Sequence, residues 1–271
     1  MTAAFAYPRV LLAPELRGDE RLEHLLHELR HDASEVTRCR EERHTRHLWL
    51  SAETRAGPLP LFIKVYRPPL KRNLLTPLFS GRARREFLCS RQAAARSLKV
   101  LPAIAYGERR RRGVVVDQFV AFRQLKRARS VARLLLEADD AGAARLEQVP
   151  RFAEALADLH RGGYLHLQAS PRNLLLVRAA SGRCCVWIDH PSGLFFRRSI
   201  WARLPALADV LQVFRSRVLL PSLEDRRLFL EHYAPGHPRF HRLALKLHRR
   251  YIAPSTLRRL LKVGSFWKGF R

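Results

Sequence analysis

The chain has 271 residues, 47% of them hydrophobic, enough to build one compact domain or two closely packed lobes. Its formal net charge of +27 and pI of about 11.4 point to anionic partners such as phosphorylated sugars, acidic lipid head groups or nucleic acid. The four cysteines have neither the number nor the spacing of a disulfide framework or a zinc site, which fits a reducing cytoplasm. No run of about 18 apolar residues occurs. The opening stretch, MTAAFAYPRVLLAPELRG, lacks the charged start and long apolar segment of a secretory leader.

In chain order, residues 20–31 read as a short amphipathic helix. Residues 36–66 read as strands that end before Pro68 and Pro69, and 82–98 as a helix. Ala103–Tyr106 and Val114–Phe122 read as a hairpin with the basic stretch GERRRRG at its turn, a solvated tip more than a docking site. A central helix is expected from Pro150, a good first-turn residue, to His160, with Phe152, Leu156 and Leu159 as its apolar stripe and Gly162-Gly163 as its stop. The remainder, from Leu204 to Arg271, reads as mostly helical.

Two stretches carry chemistry. The first, Leu61-Phe62-Ile63-Lys64-Val65-Tyr66, is an apolar strand with a lysine inside it. Lysine is rarely buried without a partner, so this one asks for an anion, and Glu86 in the following helix can supply it. The second is LHRGGYLHLQASPRN, followed by the apolar strand Cys184-Cys185-Val186-Trp187-Ile188 and Asp189. His166 and Asn173 stand at the spacing of a kinase catalytic loop, His-x-Asp-x₄-Asn, with Gln168 where that pattern has Asp. Asn173 offers an amide oxygen and Asp189 a carboxylate, the hard donors that Mg²⁺ prefers. Each half alone reads as well as a snorkelling surface lysine, or as a polar loop and hairpin closed by a capping Asp. The ordered set Lys64, Glu86, His166, Asn173, Asp189 is what gives them weight.

The segments FIKVYRPPLKRNLLTPLFSGRARREF, LPAIAYGERRRRG, LHRGGYLHLQASPRN and VWIDH resemble the bacterial lipopolysaccharide kinases of the Kdo/WaaP (InaA-like) family over roughly residues 35–215. The resemblance implies an α+β, protein-kinase-like bilobal fold. A small, mainly antiparallel lobe would span 1–120 and a larger helical lobe 121–271. It implies ATP and Mg²⁺ as cofactors, with Lys64 on the phosphates, Glu86 paired to Lys64, and Asn173 and Asp189 as metal ligands. Gln118–Ala121 would form the hinge against which adenine lies, His166 would brace the catalytic loop, and Asp209 would anchor that loop from below. The acceptor would be Kdo or heptose of a lipopolysaccharide or lipid A–core precursor, phosphorylated on the cytoplasmic side of the inner membrane. Three departures stand out: Gln168 at the catalytic base, His190-Pro191 after Asp189 in place of Phe-Gly, and no glycine in CREERHTRHLWLSAE before Lys64.

Gln168 can hydrogen-bond an acceptor hydroxyl but cannot take its proton. The sequence therefore leaves open a specialised core-sugar kinase and a pseudokinase that binds ATP or the lipid-linked sugar. A nucleic-acid-binding protein rests on charge alone and has no motif behind it, so nucleic acid is disfavoured as a partner. After Glu231 no acidic residue occurs, and from Arg239 to Arg271 ten Lys or Arg residues interleave with apolar and aromatic ones. Such helices suit an anionic membrane surface, or equally two helices packing inward.

Overall fold

The computed structural model describes residues 7–29, 36–42, 44–67, 81–179, 182–196 and 203–249. Their contacts divide the chain into two units: one runs up to Ala94 and adds Leu101–Lys126, the other takes Ala95–Val100 and the chain from Arg127. The border expected at residue 120 falls inside a strand, and the division lies after Lys126.

The first unit is built on one antiparallel sheet of β1 (Arg9–Leu12), β2 (Val36–Glu42), β3 (Thr45–Thr54), β4 (Gly57–Tyr66), β5 (Ala103–Arg111) and β6 (Val114–Arg123), in the order β1-β5-β6-β4-β3-β2. Alternation along β3 and β4 sorts the side chains. Leu48, Leu50, Leu61, Ile63 and Val65 go to one face, where α1 (Glu20–His27) lays Leu22 and Leu26 against them together with Tyr7 and Phe119. Lys64 and Tyr66 go to the other face, which α2 (Arg82–Ala95) covers in part with Ala83 and Phe87 over Val120 and Phe122. The β5–β6 hairpin is longer than expected. Arg109–Arg111 lie within β5, and the turn is only Arg112-Gly113, both in the left-handed region that a tight hairpin needs.

The second unit is mainly helical: α3 (Val131–Leu136), α4 (Ala141–Arg161), α5 (Arg203–Val213), α6 (Leu223–Tyr233) and α7 (Pro238–Arg249). Short strands β7 (Ala128–Ser130), β9 (Leu174–Ala179) and β10 (Gly182–Trp187) form one small sheet, and β8 (Tyr164–Leu165) pairs with β11 (Leu194–Phe195). The α4 helix corrects the sequence reading. It begins nine residues before Pro150, because the Asp140 carboxylate accepts from the Gly142 and Ala143 N–H groups and caps it there. Pro150 sits inside the helix and leaves the Leu146 carbonyl without its N–H, a loss that water can make good because Leu146 is 68% exposed. Phe152, Leu156 and Leu159 are buried as expected, and Phe152 packs edge-on against Trp187 at 5.1 Å. The C-terminal residues 250–271, with the second half of the basic segment, lie outside the described residues, as do Pro68 and Pro69.

Candidate functional site

In the first unit Lys64 is the buried cation that the sequence pointed to, and Glu86, fully buried, meets it from α2 with Nζ–Oε1 of 2.8 Å. The second carboxylate oxygen accepts from the Tyr66 hydroxyl at 2.5 Å. Lys64 and Tyr66 share one face of β4 because they stand two apart, so a single strand grips both oxygens of one carboxylate. The Arg82 guanidinium lies 4.7 Å over the Tyr66 ring, and the Lys64 ammonium 5.3 Å from the Phe122 ring centroid. Burial pushes the Cys89 thiol, one turn further along α2, up to about 11, so it stays uncharged near Glu86.

Gln118 is not a hinge residue. It lies within β6, where Gln118–Ala121 pair with β4 on one side and β5 on the other, and its amide oxygen accepts from the Ala83 N–H at 2.9 Å. That bond satisfies an otherwise orphaned donor in the first turn of α2. Gly81 makes room for it, since a Cβ there would stand 2.4 Å from the Gln118 oxygen. The physical reason for the correction is that a central strand has no backbone groups left to offer a ligand.

In the second unit the β9–β10 register pairs Leu174 with Trp187, and Ile188 N–H donates to the Asn173 carbonyl at 2.9 Å. Asn173 and Asp189 therefore leave the same end of one hairpin. The Asn173 amide nitrogen is committed to the Gln168 carbonyl at 2.9 Å, which fixes the amide so that its oxygen is the group left for a ligand. Asp189 holds a left-handed φ of 64°, as does Leu167 at 57°, so the two loops concentrate backbone strain of the kind found at functional sites. Gln168 projects its amide N–H to the Ser192 hydroxyl at 3.1 Å, joining the catalytic-type loop to the loop that follows Asp189. Among the described residues no group of three or more His, Cys, Asp or Glu gathers for a metal. An amide oxygen and one carboxylate are nonetheless the donor set that suits Mg²⁺, which keeps phosphates and waters as its other ligands.

His166 is turned inward. Its Nε2–H donates to the Ile188 carbonyl at 2.9 Å, and its ring packs against Trp187 and His190 at 5.1 and 4.7 Å. Its backbone N–H donates to Asp209 Oδ2 at 2.8 Å. The same oxygen receives His160 Nε2 at 3.1 Å, and His160 Nδ1 meets the Tyr233 hydroxyl at 2.5 Å. Burial, with the Asp209 carboxylate nearby, pushes the Tyr233 phenol up, so it serves as a donor. His190, in place of the expected aromatic, is fully buried between the Tyr164 hydroxyl at 3.0 Å and the Trp187 carbonyl at 3.1 Å. Gly193 is required beside it, as a Cβ would stand 1.8 Å from the Tyr164 oxygen.

Lys64, Glu86 and Gln118 thus belong to the first unit, and His166, Gln168, Asn173, Asp189 and Asp209 to the second. Sequence reasoning missed Tyr66, His160, Ser192 and Tyr233. The two-residue spacing to Lys64 was a usable signal for Tyr66, whereas the other three act through partners far away in the chain.

Residues 27–191 match the model of the "Lipopolysaccharide kinase (Kdo/WaaP) family". Among solved structures, WaaP in complex with acyl carrier protein is similar, with 17% identity, 90% of this chain and 100% of that chain covered and a TM-score of 0.53. The Mycobacterium tuberculosis PknI kinase domain is similar at 14% identity over 79% of this chain and 95% of that one, with a TM-score of 0.40. Curated proteins offer no match. The fold is protein-kinase-like, of the α+β class expected.

Proposed function

The chain belongs to the lipopolysaccharide kinase (Kdo/WaaP) family, and from that premise we propose that it is an ATP-dependent phosphotransferase acting on a Kdo or heptose hydroxyl of a lipopolysaccharide inner-core precursor. The observation that carries this reading is the buried Lys64–Glu86 pair at 2.8 Å in a chain whose Asn173 and Asp189 leave one hairpin end together. Bound ATP and Mg²⁺ would supply the phosphoryl group and neutralise the charge that develops on it. Lys64 binds phosphate oxygens and Glu86 holds Lys64 in place. The Asn173 amide oxygen and the Asp189 carboxylate hold the metal. Gln168 orients the acceptor hydroxyl through a hydrogen bond, and His166 and Asp209 keep its loop in shape.

Gln168 favours a second reading, a pseudokinase that binds nucleotide or precursor with little transfer, because an amide cannot take the hydroxyl proton. The acceptor's place is the cytoplasmic side of the inner membrane. The exposed basic residues Arg239, Arg242, Lys246 and Arg249 of α7 suit an anionic membrane surface there. No helix among the described residues is long and apolar enough to cross a membrane. WaaP is seen in complex with acyl carrier protein, which makes such a carrier protein a further candidate partner.

Thermal melting with ATP and Mg²⁺ tests the cofactor assignment: stabilisation is expected in the wild type and is expected to vanish in Asp189→Ala. Labelled-phosphate transfer to isolated core lipopolysaccharide then decides between the two readings. Binding without transfer selects the pseudokinase.

A further inference from the structure

The second unit holds an open cleft of about 470 Å³, a volume within the range of small-molecule sites. Trp187 at the end of β10 packs on Phe152 of α4, so the helix lies over the sheet face that Trp187 shares with Arg183, four residues earlier. The cleft opens nearer the start of α4, between Glu147 and Gln148 on the helix and Leu176, Arg178 and Arg183 on the sheet. None of the residues assigned to nucleotide, metal or acceptor is among those that line it.

The strand register crowds positive charge at this cleft. Arg178 of β9 stands directly across from Arg183 of β10, where like charges repel. Leu176 shares the face of Arg178, and Arg129 of β7 pairs with Leu176. With Arg127, four exposed guanidinium side chains surround an apolar floor that includes Leu134 and Leu176. The nearby acids do not match them. Arg129 is paired with Glu137. Glu147 lies 3.5 Å from Arg183 but 2.5 Å from Arg151, which stands outside the cleft. Among the described residues no carboxylate lies within ion-pair distance of Arg127 or Arg178. Gln148, 3% exposed, closes the inner wall, and its amide oxygen has no hydrogen-bond partner among the described residues. An unpaired buried amide is costly, and the soft torsion of its last bond lets it turn towards a ligand.

We infer that the cleft binds a small organic phosphate, its phosphate on Arg127 and Arg178, its body over Leu134 and Leu176, and a hydroxyl or N–H of that body on the Gln148 oxygen. A phosphate monoester carries close to two negative charges at neutral pH and three acceptor oxygens. It can therefore serve two guanidinium forks at once and relieve the repulsion between Arg178 and Arg183. A carboxylate has a single charge and would leave one of the two arginines unanswered. The apolar floor and the Gln148 amide give an organic ester contacts that a bare phosphate cannot make. The site uses neither Lys64 nor Asn173 and Asp189, so it is independent of the nucleotide reading.

The test measures binding of inorganic phosphate, phenyl phosphate and glucose 6-phosphate to the full chain by calorimetry. Wild type is expected to bind both esters more tightly than inorganic phosphate. Arg127→Gln and Arg178→Gln are each expected to lose about tenfold for both esters, the loss of a hydrogen bond to a charged group. Gln148→Leu is expected to weaken glucose 6-phosphate and to leave phenyl phosphate unchanged, the latter showing that the cleft is intact. Without ligand, Arg178→Gln is expected to melt no lower than wild type, because the substitution removes a repulsion. Esters that bind no tighter than inorganic phosphate, or no ester binding at all, would overturn the site. So would esters that ATP displaces while both arginine variants hold them as wild type does, since these would sit at Lys64. An Arg178→Gln variant that melts below wild type without ligand would show that Arg178 serves packing and would overturn its role as a phosphate anchor.

Discussion

The Tyr66 hydroxyl and the Lys64 ammonium hold opposite oxygens of the Glu86 carboxylate, at 2.5 and 2.8 Å. Glu86 has no solvent exposure, so each lost donor leaves a buried acceptor unpaired, at about 1–3 kcal/mol. Tyr66→Phe is accordingly expected to cost about 2 kcal/mol in urea unfolding. Once the whole side chain is gone the hydroxyl has lost the same partner, so Tyr66→Phe and Glu86→Ala are expected to combine to less than the sum of their separate costs. Strict additivity in that double-mutant cycle would show that the Tyr66–Glu86 bond contributes nothing in solution.

Asp117 is expected to give the first unit a pH dependence. It is 2% exposed on β6, its Oδ1 has no partner among the described residues, and the nearest guanidinium nitrogen, Arg109 Nη2, is 3.8 Å from Oδ2. Burial raises its carboxyl above the usual Asp range, against the opposing pull of Arg67, Tyr7 and Arg109. The folded state therefore holds the proton to higher pH than the unfolded chain. Its contribution is fully present below the ordinary Asp value and is lost as pH rises through the raised one. Asp117→Asn removes that loss. The variant is expected to melt higher than wild type at pH 7, with the gain shrinking as pH falls to 4. A variant less stable than wild type at pH 7 would mean that Arg109 and Arg67 outweigh burial.

The legible parts of this molecule are those whose partners are close in sequence or whose type is rare in its setting. A lysine inside an apolar strand announced its need for Glu86, and the His166–Asn173 spacing announced the loop. The failures have physical causes. The run stays apolar to Phe122 and hides the end of β6, so the sequence points to a hinge at Gln118, whereas the strand continues to Arg123. Pro150 points to a helix start because proline favours a first turn, while the actual start depends on Asp140, whose capping role competes with many equally polar loop residues. The His160–Asp209–Tyr233 chain joins residues 49 and 73 positions apart, and no local pattern encodes such pairings.

On α7 the described half of the basic segment can be tested without dismantling the helix. Arg239, Arg242, Lys246 and Arg249 are exposed, and Ala244 is buried on the opposite side. Replacing the four by Gln removes charge and keeps helix propensity. Sedimentation with anionic vesicles is expected to fall several-fold, most clearly at low salt, since exposed charges are screened within about 10 Å at 0.1 M. Unchanged sedimentation would assign α7 a packing role alone.

Gln168 decides what the catalytic loop can do. Its N–H donates to Ser192 at 3.1 Å, which turns the amide oxygen to the other side, as an acceptor for a hydroxyl. An aspartate at this position accepts from the Ser192 hydroxyl in place of donating to it, so the loop contact survives the change. Its free oxygen can then take the proton that glutamine cannot. The imidazole of the same loop, His166, is turned inward onto the Ile188 carbonyl. Gln168→Asp is therefore expected to raise phosphate transfer to a core sugar by up to about 10²-fold, a part of the range that a general base supplies, with the nucleotide affinity unchanged. Ser192→Ala in the same background separates base strength from position: a base held by Ser192 loses part of the gain, and an unconstrained one keeps it. A wild type that turns over briskly, with Gln168→Asp no faster, would show that the loose transition state of phosphoryl transfer needs no base here. Transfer by neither protein, with ATP bound by both, would establish the chain as a pseudokinase.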